Sequence, residues 1–319
     1  RVESNGNANM LFVDGGNDTV GIGIADPDQA LEIGAAGKLK LSRADNARSL
    51  LLYNDNSYAT VESSTDPILF KSADRFQFEA NGSEVFRIAT DGSLSTPTLG
   101  TDNVRFGENA GNSIASGAYN NVVIGKNAGT ALTTGDSNIA IGSGALMTED
   151  SHANNVAIGQ NALTLQNAGA DAYNVGIGYH AGTAMTTGLR NVLVGGLSGD
   201  ALTDADDNVA MGTTALSTDT LGSRSVAIGK ESLAAQNFTT ATNSYNTAVG
   251  AFSGNSVTTG VENTLIGGLA GQALTSGASN VAIGFDALST EDAHGKNTAI
   301  GHKVLEAQNA GADGYNVGI

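Results

Sequence analysis

Asn155-Val-Ala-Ile-Gly159 is a five-residue core that recurs through most of this chain. Each copy has an Asn, a β-branched residue, a small or variable residue, an aliphatic or aromatic residue and a Gly. Thirteen copies run from Asn103 to the incomplete Asn316-Val-Gly-Ile319, most of them 17 residues apart, and only Ser225 replaces the leading Asn. Self-similarity at a short fixed period indicates a repeat architecture.

The 17-residue unit predicts a β-solenoid. It is too short for a strand–helix–strand unit, and Val-x-Ile-Gly without proline is typical of a short strand. We expect each coil to contain this strand, a turn, a second short strand at Ala-Leu or Ala-Gly, and a polar loop. Coils stacked through their backbones over residues 99–319 then form a rod. Twelve steps of about 4.8 Å give it a length of roughly 58 Å.

A longer period is superimposed on the coils. Every fourth coil carries two to four extra residues, in the segments Gln166–Tyr173, Gln236–Tyr245 and Gln308–Tyr315. The coils therefore group into three supercycles, residues 103–173, 174–245 and 246–315. Asn316 begins a fourth supercycle that stops within its strand, which predicts that the chain is truncated at its C-terminus.

The leading asparagines predict a structural ladder. Asn tolerates a left-handed backbone, and stacked amides can hydrogen-bond from coil to coil. A catalytic role would need a dozen equivalent sites, so we expect the role to be structural. The predicted ladder residues are Asn121, Asn138, Asn155, Asn174, Asn191, Asn208, Asn246, Asn263, Asn280 and Asn297.

Side-chain alternation along the core strand leads to a prediction about assembly. We expect Val122 and Ile124 to share the inner face of the coil. The opposite face, with Val123, Ala140 and their equivalents, is then also apolar along the rod and must be covered. Three chains closed around an axis would cover it, so we expect a homotrimer in which Ala227→Lys or Ala282→Lys blocks assembly.

The first 98 residues lack the 17-residue period and are expected to form a small antiparallel β domain. Alternating residues in Arg75–Glu79 and Glu84–Ile88 predict two strands of a hairpin with its turn at Asn81-Gly82. Leu50–Tyr53 and Tyr58–Glu62 are expected to flank a second turn. The fold class is therefore all-β.

Composition excludes several classes of protein. The chain has 43 glycines and only 5% aromatic residues, which suits narrow stacked coils better than a large globular core. Its formal charge of −17 disfavours nucleic acid and anionic membranes as partners. There is no cysteine for disulfides or thiolate metal sites, and no apolar run long enough to insert into a membrane. We expect neither a cofactor nor a metal.

Three groups of residues have some resemblance to cation sites, and for each a structural role is preferred. Asp14–Asp18 is a single imperfect copy of a calcium-binding nonapeptide and is expected to be a turn. Asp204–Asp207 is expected to be a solvated acidic loop. His152 and His294 occupy equivalent loop positions about 38 Å apart, so they cannot share one metal ion within a chain.

Two segments resemble known appendage proteins. Val20–Ile33 and Phe86–Gly92 resemble segments of phage tail fibres and similar virion appendages. The repeat cores from residue 103 onward are similar to the head repeat of trimeric autotransporter adhesins, although those repeats are shorter. The resemblance implies a trimeric left-handed β-roll and a host-binding appendage.

This reading leads to an expected function that is structural rather than catalytic. We expect a bacteriophage tail fibre on the virion, with other fibre or baseplate proteins and a host cell-surface glycan or protein as partners. The alternatives are the head of a bacterial trimeric adhesin at the cell surface and a polysaccharide depolymerase with paired carboxylates. An ice-binding solenoid is disfavoured, because threonine pairs recur in only some coils.

The long fourth-coil loops are candidate receptor contacts, since loops can vary without disturbing a stack. Their Gln and Tyr residues offer amide hydrogen bonds beside an aromatic face, a combination that suits sugars. The alternative is that each Tyr plugs an oversized loop. The candidates are Gln166, Tyr173, Gln236, Tyr245, Gln308 and Tyr315.

Overall fold

The structure is a computed structural model, and it describes residues 2–4, 7–14, 19–22, 31–33, 76–80, 83–88, 94–95, 100, 102–309 and 311–319. Contacts between Cα atoms divide the chain into two compact units, Arg1–Lys71 and Ser72–Ile319. The predicted turn between Leu50–Tyr53 and Tyr58–Glu62 and the predicted turn residues 15–18 lie outside the described residues.

Two small sheets precede the solenoid in sequence. The first unit contains β1 (Val2–Ser4), β2 (Asn7–Asp14), β3 (Thr19–Ile22) and β4 (Leu31–Ile33). β1, β2 and β3 pair antiparallel, whereas β3 and β4 pair parallel. The second unit begins with the antiparallel strands β5 (Phe76–Ala80), β6 (Ser83–Ile88) and β7 (Leu94–Ser95). The predicted pairing of two antiparallel strands within residues 75–88 is thus confirmed, whereas the predicted turn at Asn81-Gly82 lies outside the described residues.

The rest of the second unit is a β-solenoid of about thirteen coils, and its described residues contain no helix. Thirteen short strands pair parallel, each with its equivalent one coil away, and all lie in one sheet. These strands are β8 (Val104–Phe106), β9 (Val122–Ile124), β10 (Ile139–Ile141), β11 (Val156–Ile158), β12 (Val175–Ile177), β13 (Val192–Val194), β14 (Val209–Met211), β16 (Val226–Ile228), β18 (Thr247–Val249), β19 (Thr264–Ile266), β20 (Val281–Ile283), β21 (Thr298–Ile300) and β22 (Val317–Gly318). One strand at every core, in register, confirms the prediction.

The predicted second strand at Ala-Leu or Ala-Gly is wrong, because these residues form turns. Among the described residues of the solenoid, strands outside the main sheet pair once, where β15 (Gly222–Ser223) pairs parallel with β17 (Thr242–Asn243).

The expected direction of the core strands is also wrong. In β9 the central residue Val123 is fully buried, while Val122 and Ile124 are half-exposed. The same pattern holds along the sheet, with Ala140, Ala227 and Ala282 fully buried. The central residues of the strands from β9 to β21 therefore face the coil interior, covered by their own chain, and the residues on either side of them face outward.

The interior explains why the coils repeat in groups of four. Two inward-facing positions, three residues apart in the turn after each strand, compete for the same volume inside the coil. Two successive coils have Gly followed three residues later by an apolar side chain, as in Gly129 and Leu132. The next two have Leu followed by a buried polar residue, as in Leu146 and Glu149. A Cβ at Gly129 would lie 2.7 Å from Leu132 Cδ1, so a coil has room for only one large side chain here.

The asparagine ladder is present as hydrogen bonds between coils. Asn121 Oδ1 accepts from the backbone N of Asn138 at 2.9 Å, and Asn191 Oδ1 accepts from Asn208 at 3.0 Å. Asn208 Nδ2 also donates to Gly222 O at 2.9 Å, fourteen residues on. The tolerance of Asn for a left-handed backbone does not explain its place in the ladder, because the ladder asparagines are not left-handed. The residue before each is, as in Asn120 with φ 58°.

Candidate interaction surface

The outward residues of the sheet form two continuous apolar columns along the solenoid. None of them is charged and three are threonine. The columns are Val104, Val122, Ile139, Val156, Val175, Val192, Val209, Val226, Thr247, Thr264, Val281, Thr298 and Val317, and Phe106, Ile124, Ile141, Ile158, Ile177, Val194, Met211, Ile228, Val249, Ile266, Ile283, Ile300 and Ile319. We call this surface the outer face. Exposed strand faces in water usually carry polar residues, so the apolar composition of the outer face is unusual for a solvent-facing sheet.

Aromatic residues stand at both ends of the outer-face strands. Tyr173 and Tyr245 precede the ladder position, at the corner where the strand begins, and are 56% and 53% exposed. Tyr179 and Phe285 directly follow the Gly that closes the five-residue core, where the strand ends, and are also about half exposed. Phe285 stacks on His302 of the next coil with 5.8 Å between ring centroids. Tyrosine is enriched in protein interfaces, so these rings extend the apolar character of the outer face.

The fourth-coil tyrosines are exposed and do not plug their loops. Two of them contact a cation one coil earlier. Arg224 Nη1 donates to Tyr245 Oη at 2.8 Å, and its guanidinium lies 5.6 Å from the ring centroid. Lys296 Nζ donates to Tyr315 Oη at 3.0 Å and lies 5.0 Å from that ring. The rings of Tyr245 and Tyr315 are therefore held in place and remain open to solvent.

The glutamines of the same loops are placed differently from the expectation. Gln166 and Gln236 are fully buried inside the coil, so their amides are not available to a receptor at the surface. Gln166 Oε1 accepts from Asn174 Nδ2 at 2.9 Å, and Gln236 Oε1 accepts from Asn246 Nδ2 at 2.8 Å. Gln308 is half-buried. These glutamines take part in the internal polar network of the long coils.

Ser225 shows how that network replaces a ladder asparagine. Gln236 Nε2 donates to Ser225 Oγ at 2.8 Å and to Asp219 Oδ2 at 2.6 Å. Ser244 Oγ lies 2.5 Å from Ser225 Oγ. The longer loop of this coil supplies these partners, so a serine is tolerated where the other twelve coils have asparagine.

The acidic loop Asp204–Asp207 is engaged within the chain. Asp207 Oδ1 accepts from Arg190 Nε at 2.6 Å, and the guanidinium lowers the pKa of this carboxyl. Asp206 Oδ1 accepts from the backbone of Leu189, and Asp204 Oδ1 from Thr187 Oγ1. These bonds fix the loop against the preceding coil.

His152 and His294 each lie close to acidic side chains of their own coil. The distance between the two histidines does not reveal these neighbours. Glu149, three residues before His152, is fully buried, and its Oε1 lies 3.0 Å from His152 Nδ1. Glu291 Oε1 and His294 Nδ1 repeat this contact at 3.2 Å. The available signal was the shared motif Thr-Glu-Asp-x-His in both coils.

Comparison of the chain with protein-family models, with curated proteins and with solved structures finds no match. Across the described part of the chain, no helix has the length and apolar character needed to cross a membrane.

Proposed function

We propose that this chain is a segment of a homotrimeric fibre, of the kind that bacteriophage tails use to attach to a host surface. The observation that carries the proposal is the outer face, an apolar strip that runs the length of the solenoid. Thirteen strands at about 4.8 Å and a width of about 10 Å give a strip of roughly 600 Å². Together with its aromatic margins this approaches the roughly 800 Å² that each partner contributes to a specific interface.

The partner in this proposal is the chain itself. A strip of constant composition fits a partner that repeats with the same 17-residue period, and a second copy meets that condition. Three copies around an axis enclose all three strips, which agrees with the resemblance to trimeric adhesin heads and tail fibres. The assembly differs from the one expected from sequence, because β-branched residues such as Val226, rather than Ala227, meet at the axis.

The attachment role rests on the same rod. The exposed Tyr173, Tyr245 and Tyr315 recur every four coils, about 19 Å apart. Weak equivalent sites on three chains bind a surface through avidity. In this proposal the two small sheets precede the rod in sequence, the protein belongs to the virion, and it binds other fibre or baseplate proteins and a host glycan or protein.

Sedimentation equilibrium tests the assembly. We expect a mass about three times that of the 32.0 kDa chain. Val226→Lys would place three charges at the axis and should yield monomers with an unchanged β-sheet circular dichroism spectrum. Thr218→Lys, at an exposed turn residue, is the matched control and should remain trimeric. A monomeric or dimeric wild-type rod would refute the trimer, and a trimeric Val226→Lys variant would refute the outer face as its interface.

A cell-binding assay tests attachment separately. Replacing Tyr173, Tyr245 and Tyr315 with Ala should abolish binding to host cells and leave the trimer mass unchanged. If the variant binds as the wild type does, the receptor contacts lie elsewhere. Release of new reducing ends from host capsule by the wild-type protein would instead establish the depolymerase alternative.

A further inference from the structure

One imidazole and two carboxylates meet at the third coil of the first supercycle. His152 Nδ1 lies 3.0 Å from Glu149 Oε1 and 3.8 Å from Asp150 Oδ1. One donor atom from each of the three residues lies within 4.8 Å of the other two. Neighbouring ligands of a metal ion with bonds of about 2.0–2.2 Å are separated by about 3–4 Å, so these distances suit a shared ion.

Glu149 provides a second and independent observation. Its side chain is fully buried, and its Oε2 atom has no hydrogen-bond partner. A buried carboxylate oxygen without a partner is costly and calls for a cation or another donor.

The second supercycle offers an internal comparison. Asp219 occupies the position of Glu149, but Thr220 and Gly222 replace the second carboxylate and the histidine. There both oxygens of the buried acid are partnered: Oδ1 accepts from the backbone N of Gly222 and Phe238, and Oδ2 from Gln236. In this comparison the unpartnered oxygen occurs in the coil that has the histidine, and not in the coil that lacks it.

We propose that Glu149, Asp150 and His152 bind a divalent transition-metal ion such as Zn²⁺. An imidazole nitrogen with two carboxylates is a donor set that Zn²⁺ accepts, whereas Ca²⁺ takes oxygen ligands. Nδ1 must lose any proton it carries, which is released to solvent when the ion binds. The half-exposed Asp150 leaves one side of the ion open to water. Bound there, the ion joins the buried wall of the coil to the loop that follows it.

The third supercycle repeats the residues as Glu291, Asp292 and His294, again with one donor atom from each within 4.8 Å of the others. No ion is assigned to this cluster, because the unpartnered buried oxygen that supports the first site is a feature of Glu149. The two clusters lie eight coils apart, about 38 Å, and are therefore independent. The site at Glu149 does not depend on the proposed function, since it is complete within one chain.

Calorimetric titration of the tag-free, chelator-treated chain with Zn²⁺ tests the proposal. We expect an ion at the Glu149 site at neutral pH. His152→Ala should remove this ion, or weaken its binding at least about 10-fold. His302→Ala, at an exposed histidine that stacks on Phe285, is the matched control and should bind the ion as the wild type does. Circular dichroism verifies that each variant is folded.

The outcomes separate the possibilities. Loss of one ion in His152→Ala supports the site at Glu149, whether or not the second cluster also binds. No saturable Zn²⁺ binding by the wild type, or Zn²⁺ binding unchanged in His152→Ala, would overturn the proposal. Glu149 Oε1 would then serve only as the acceptor for the backbone N–H groups of Asp150 and His152. Ca²⁺ binding as tight as Zn²⁺ binding would overturn the assignment of an imidazole ligand.

Discussion

Removal of one rung of the asparagine ladder is the most direct perturbation of this fold. Asn208→Ala deletes an amide that is fully buried in the middle of the solenoid. Its Oδ1 accepts from Ser225 N at 2.8 Å, and its Nδ2 donates to Gly222 O at 2.9 Å. The substitution leaves one backbone donor and one backbone acceptor without these partners in an interior that water does not reach.

The expected cost follows from those two groups. A buried polar group without a partner costs about 1–3 kcal/mol, so the variant should lose about 2–6 kcal/mol of unfolding free energy. That is a large share of the roughly 5–15 kcal/mol by which folded domains are stable. Asn112→Ala is the matched control: Asn112 is exposed and outside the ladder, so its loss should change stability by no more than about 0.5 kcal/mol.

Urea unfolding followed by far-ultraviolet circular dichroism measures the difference. A solenoid coil contacts only its neighbours, so the urea dependence of the free energy must be compared as well as the midpoint. A loss below about 1 kcal/mol for Asn208→Ala, or an equal loss for Asn112→Ala, would refute the reasoning that the buried amides hold the coils together.

Other substitutions test the interior and its electrostatics. Ala227→Lys should prevent folding rather than block assembly, because its side chain points into the closed coil and burying the charge costs several kcal/mol; a folded, native-like spectrum would contradict that placement. Deletion of residues 174–245, one whole supercycle, should give a shorter rod with the same ellipticity per residue, and a disordered spectrum would contradict the four-coil interior pattern. Burial raises the pKa of Asp200, whose Oδ1 is unpartnered, so the folded state binds its proton more tightly than the unfolded state does. Stability therefore falls as pH rises above the ordinary value of 3.8, and Asp200→Asn should raise the melting temperature at pH 7 but not at pH 3.

The repeat made most of the solenoid predictable. A 17-residue period is too short for a helix-containing unit. Each period also contains one short segment rich in β-branched residues, which predicts one strand per coil and a stack of parallel strands. The asparagine ladder could also be predicted from the repeat, because an Asn at the same position in each coil lies next to the corresponding Asn of the neighbouring coil. Ser225 could not be explained from its own position, since its partners Ser244 and Gln236 come from the extra length of that coil.

The direction of each strand could not be read from alternation alone, because both faces are apolar. Size suggested that Val122 and Ile124 fill the interior. The interior in fact accepts both small and large central residues, from Ala140 to Leu193, so side-chain size does not decide which face of the strand points inward. Gly129 and Leu146 occupy the same position in successive coils, and this alternation of Gly with Leu is a sequence signal of a crowded interior. The signal can be interpreted only when it is known that these residues face the coil interior. The sequence likewise does not show that the position of Gln166 faces the coil interior, which is why a surface role is expected for this buried residue.

Stacked strands also determine how the rod responds to mechanical tension. The backbone hydrogen bonds of successive coils, such as Val122 N to Asn138 O, join one coil to the next along the stack. A force along this direction acts on the few hydrogen bonds between one pair of coils at a time, so these bonds break in sequence and not all together. Each 17-residue coil that detaches would lengthen the chain by about 55 Å. Stretched from its ends, the rod should therefore yield in small repeated steps at low force and absorb a sudden load by extending.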